Sequence, residues 1–74
     1  MKAQELKKWI DSLTDDIEFS YEGTHGSICP ISRAEIYLSY GDTTYDAKSI
    51  DDAMGAPFFN GKSLNEISDT MELI

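Results

Sequence analysis

The apolar residues of this chain change their period twice, and that change restricts the fold more than any single motif. Leu6, Trp9, Ile10 and Leu13 recur at i, i+3, i+4 and i+7, one stripe of an amphipathic helix over roughly residues 2 to 13. Thr14-Asp15-Asp16 breaks that period. Ile17, Phe19 and Tyr21 then alternate with Asp16, Glu18, Ser20 and Glu22, the period of a strand with one face on a core and the other in water. A helix with a stripe to bury next to a strand with a face to bury predicts two packed layers.

The remainder follows the same logic. Glu22-Gly23-Thr24-His25-Gly26 carries two glycines and reads as a hairpin loop of five residues leading into Ser27-Ile28-Cys29-Pro30-Ile31-Ser32. Pro30 cannot donate to a ladder on both sides, so this second strand is expected at an edge, bulged, or ended near Cys29. Ala34, Ile36, Leu38 and Tyr40 alternate with Glu35, Tyr37 and Ser39 in a third strand. Gly41-Asp42 is a type II′ turn signal, and Thr43 to Ala47 supplies a return strand.

Beyond the strands the helical period returns. Ser49-Ile50-Asp51-Asp52 resembles a capping box, and Gly55 is placed to close a short helix in the left-handed conformation. Ala56 to Gly61 is a turn-rich connector whose Phe58 and Phe59 must plug the core or stand exposed. Ser63-Leu64-Asn65-Glu66 is a full S-x-x-E box, and Leu64, Ile67, Met71 and Ile74 mark the stripe of a terminal helix. The expected fold is α+β in one domain over residues 1–74. A three- to four-stranded antiparallel meander is covered on one face by the N-terminal and C-terminal helices, in the order α-β-β-β-(β)-α-α.

Charge bounds the partners. Fourteen Asp and Glu stand against six Lys and Arg, a formal net charge of −8 in 74 residues, and no Lys or Arg falls between Trp9 and Ser32. Nucleic-acid phosphate and anionic membranes would be approached through a negative field, so direct docking on either is disfavoured and a basic protein partner is the complement. A chain this short hides only about 60% of its unfolded surface, so the core is small and a homodimer would help it. Cys29 is the only cysteine and His25 the only histidine, which excludes an internal disulfide and a Cys/His zinc site. The longest apolar run is Ile36-Tyr37-Leu38, too short for a signal peptide or a membrane span, and a cytoplasmic location is expected.

Conventional reactive chemistry is thinly supplied. His25 and Cys29 lie near one another in sequence, yet a cysteine inside a strand is most simply a small buried residue. The carboxylate pairs Asp15-Asp16, Asp51-Asp52 and Asp42 with Asp46 fall at turns and helix starts, where carboxylates satisfy backbone N–H groups. They lack the spacing of a calcium loop, and no phosphate-binding glycine motif is present. No catalytic, cofactor or metal residue is therefore assigned.

The face of the sheet turned to solvent is the better candidate. Asp16, Glu18 and Glu22 are expected to point outward from the first strand, joined by Glu35 and Tyr37 from the third. One reading makes the chain a non-enzymatic inhibitor, of phage or mobile-element type, that mimics nucleic-acid charge to block a basic nucleic-acid-binding protein. Outward residues of one strand are about 6.8 Å apart, half the charge density of a DNA strand, so mimicry needs the acids of the terminal helix, or of a second copy in a dimer, on the same side. The alternative is an interaction or self-assembly module anchored by Phe58, Phe59 and Tyr45 or by the stripe holding Trp9, its acidity serving solubility.

Overall fold

The computed structural model describes residues 1–13 and 16–74; Thr14 and Asp15, placed above at the break between helix and strand, lie outside the described residues. Helix α1 (Ala3–Asp11) is followed by strands β1 (Ile17–Tyr21), β2 (Thr24–Ser32), β3 (Glu35–Tyr40) and β4 (Thr43–Ala47), then by α2 (Ile50–Gly55), α3 (Leu64–Ile67) and β5 (Glu72–Leu73). Leu6 and Ile10 of α1 are fully buried and Trp9 is half-buried, as the stripe requires. Leu13 falls beyond the helix end at φ 55°, a left-handed position that stops the helical period.

The sheet is antiparallel throughout, in the order β4-β3-β2-β1-β5. Its register sets the two faces. Ile17↔Ile28, Ile28↔Leu38 and Ile36↔Ala47 are paired across neighbouring strands, so their side chains stack on the inner face. All three helices lie on that face, where Ala53 and Met54 of α2 and Leu64 and Ile67 of α3 join Leu6 and Ile10 in one core. This is the expected two-layer α+β architecture, with one strand more than the sequence period suggests.

Three local differences matter, and the bulge expected at Pro30 is present. The first hairpin turns on two residues, not five: Tyr21 pairs with Thr24, and Glu22 (φ 51°) and Gly23 (φ 77°) form a type I′ turn whose twist matches the strands. Gly26 thus lies within β2. Pro30 sits in a central strand, but the β1 ladder ends at Ile28 and a bulge between Pro30 and Ser32 leaves Ile31 out of register and exposed. Gly55 ends α2 without entering the left-handed region; Ala56 becomes extended instead. The terminal helix is a single turn, because Met71 closes on the Ile67 carbonyl and Glu72–Leu73 then pairs with β1.

Aromatic rings thread the interior. Tyr21 meets Tyr40 (6.3 Å between centroids), Tyr40 meets Phe59 (5.4 Å), and Phe59 meets both Phe19 (5.7 Å) and Phe58 (5.1 Å). Phe58 continues the series to Tyr45 at 5.9 Å. Phe59 is held by a small hairpin of its own, exchanging backbone hydrogen bonds with Lys62 around Asn60-Gly61, both at positive φ. The core is therefore plugged by Phe59, while Phe58 stays half-buried at the surface.

Candidate functional site

The outer face of the sheet is built from the residues that alternate with the core. Rows run across the strands: Glu18, Ser27, Ser39 and Thr44 in one, Cys29, Tyr37 and Asp46 in another, and Glu72, Ser20 and His25 in a third. The middle of this face is paved with small hydroxyl residues. Ser27 and Ser39 hydrogen-bond to one another at 2.5 Å, and a depression of about 340 Å³ lies over Ser27, Cys29, Ser39 and Thr44, with Tyr37 and Asp46 on its wall.

Acids stand on the two flanks of that middle. On one flank Asp16 precedes β1 and lies against the Cys29 thiol, Glu18 follows two residues later, and Glu72 of β5 stands opposite Ser20. On the other flank are Glu35, whose carboxylate accepts from the Tyr37 hydroxyl at 3.1 Å, and Asp46, which holds the Lys48 ammonium at 2.7 Å. Glu35 raises the Tyr37 phenol above its ordinary pKa, and Asp46 does the same to Lys48. The one histidine is also here, its Nε2 3.2 Å from Glu18 Oε1.

The placement of the expected site residues is mixed. Asp16, Glu18, Glu35 and Tyr37 share the outer face. Glu22 does not join them: it occupies the type I′ turn, and its Oε1 accepts from Asn60 Nδ2 at 2.9 Å at the end of the sheet. Phe59 is fully buried and offers no surface, whereas Phe58 packs on Tyr45 beside an open groove. Neither Glu72 nor Asp46, the latter weighed above only as a pair with Asp42, was placed on this face from the sequence. Glu72 looked helical, and Asp46 could be placed on this face only once the pairing Tyr37↔Asp46 was known.

Reactive pairing is not what the face provides. His25 and Cys29 are both on β2 and both outward, but four residues of strand separate them by about 14 Å. Asp16 beside Cys29, together with partial burial, pushes the thiol pKa up, opposite to the shift that makes a nucleophile. Among the described residues no three His, Cys, Asp or Glu side chains converge on a metal-sized site. Comparison with protein-family models, with curated proteins and with solved structures gives no match to this chain.

Proposed function

We propose that this chain is a non-enzymatic cytoplasmic protein that docks the outer face of its sheet on a basic protein surface and blocks it, the blocked surface being one that binds nucleic acid. The observation that carries the reading is the convergence of Asp16, Glu18 and Glu72 on one flank with Glu35 and Asp46 on the other, against the Lys48 ammonium that Asp46 holds.

Spacing supports it. Glu72 stands level with Ser20, so the first flank carries three carboxylates within about 14 Å of strand, where a DNA strand carries about four phosphates. The further acid that supports the reading is Glu72 of β5, in place of the terminal-helix or second-copy acids that the sequence called for. The two flanks lie two to four strands apart, about 10–19 Å, a range that includes the ~12 Å width of the major groove between two phosphate rows. Among the described residues no helix is long and apolar enough to cross a membrane, and the lone thiol needs no oxidising compartment.

The test is affinity capture from the native host at low and high salt, run in parallel with a Glu18→Lys/Glu35→Lys variant. Capture of a nucleic-acid-binding protein that is lost on charge reversal, weakened by salt and competed by DNA or RNA supports the reading. Capture indifferent to both reversal and salt removes it.

A further inference from the structure

β4 is an edge of the sheet, paired with β3 alone. Its two-residue turn Gly41-Asp42 makes Tyr40↔Thr43 a hydrogen-bonded pair, so Thr43, Tyr45 and Ala47 direct their backbone groups to β3 while Thr44 and Asp46 direct theirs away from it. Among the described residues no other backbone group bonds the N–H or C=O of Thr44 or Asp46. On the inner flank of this edge a groove of about 540 Å³ opens between Tyr45, Gly55, Ala56, Pro57 and Phe58.

The two features share one geometry. A strand added to β4 would place alternate side chains on the inner flank, beside Tyr45 and therefore in the groove, and the others on the outer flank beside Thr44 and Asp46. The groove wall is mostly apolar, with Asp51 and Asp52 also lining it and Tyr45 pinned by its hydroxyl, which donates to Asp52 Oδ1 at 2.8 Å. The surroundings are acidic: Asp42, Asp46, Asp51 and Asp52 border the edge against Lys48, paired with Asp46, and Lys7, paired with Asp51. This charge opposes a second copy, whose β4 would bring like charges face to face, and favours a cationic occupant.

We propose that the β4 edge and the Tyr45–Phe58 groove form a second binding surface, which takes an extended peptide segment alternating basic and apolar residues by strand addition. It is distinct from the acidic outer face and shares Asp46 with it: the backbone of Thr44 and Asp46 supplies the pairing, the groove holds the apolar side chains, and the border acids meet the basic ones.

The probe is a ten-residue capped peptide alternating lysine and valine, added to the whole protein and followed by amide hydrogen exchange and titration. Binding is expected to slow exchange at Thr44 and Asp46. Thr44→Pro, which removes an N–H that β3 does not use, is expected to weaken binding about tenfold or more with the native amide spectrum retained. Phe58→Ala weakens it as well, and Glu18→Gln on the outer face changes it less than about threefold. Binding that survives Thr44→Pro but falls with Glu18→Gln overturns the edge proposal and leaves the outer-face reading standing. Absence of binding at millimolar peptide overturns it too, as does a dimer in sedimentation that Thr44→Pro dissociates, since a second copy would then be the occupant.

Discussion

The ring of Phe19 fills the space where residue 26 would carry a side chain: a Cβ on Gly26 would stand 2.6 Å from its Cζ and 2.8 Å from its Cε2. The two residues are paired across β1 and β2, and Phe19 is fully buried against Phe59, so the ring cannot swing away. Gly26→Ala is therefore expected to destabilise by about 1–3 kcal/mol through overpacking, read as a lower urea midpoint. Phe19→Leu added to Gly26→Ala should cost less than the sum of the two single changes.

Tyr40 anchors the far end of the sheet. Its buried hydroxyl donates to the Tyr21 carbonyl at 2.8 Å and accepts from Asn60 Nδ2 at 3.1 Å. Tyr40→Phe leaves the carbonyl without that donor and is expected to cost about 1–2 kcal/mol. A double-mutant cycle with Asn60→Ala should show coupling, because both changes act on the same oxygen.

Two carboxylates tie helix starts and should govern acid stability. Asp52 accepts from the Lys48 N–H at 3.0 Å and from Tyr45, and Glu66 accepts from the Ser63 N–H at 3.1 Å; these bonds lower both pKa values from 3.8 and 4.5. A carboxylate with a depressed folded pKa stabilises fully above its unfolded value, and that contribution is lost as pH falls through the folded one. Relative to wild type, Asp52→Asn and Glu66→Gln should therefore be less stable at pH 7, with the deficit closing below about pH 4. Urea midpoints at stepped pH check this; a deficit that widens on acidification would contradict it.

Charge repulsion should be visible in the salt response. With a net charge of −8 and Asp16, Glu18 and Glu72 together on one flank, raising ionic strength is expected to raise Tm. Glu72→Lys should raise Tm at low salt and lose that advantage at about 0.5 M, where the Debye length is only a few ångströms.

Local period carried the α1 stripe as far as Ile10, the β1 alternation, the Gly41-Asp42 turn and the Ser63 cap into the structure. What it could not carry was long-range pairing. Leu64, Ile67, Met71 and Ile74 have helical spacing, yet Glu72–Leu73 gains backbone partners on the open side of β1 that one more helical turn would not supply. Gly26 resembled a loop residue because its reason for being glycine, the Phe19 ring, comes from another strand. The same holds for the site. Glu18 and Glu35 were visible as outward acids, whereas Glu72 and Asp46 depend on register, and Glu22 was lost to a turn that lacks the usual Asn-Gly or Asp-Gly signature.

The series of ring contacts from Tyr45 through Phe58 to Phe59 has a spectroscopic consequence. Phe58 stands half-buried between the groove and the ring of Phe59, so a tilt of its plane alters the magnetic shielding felt by methyl groups packed around Phe59. Ile and Leu methyl resonances deep in the domain would then register an arrival at the periphery without any attached label.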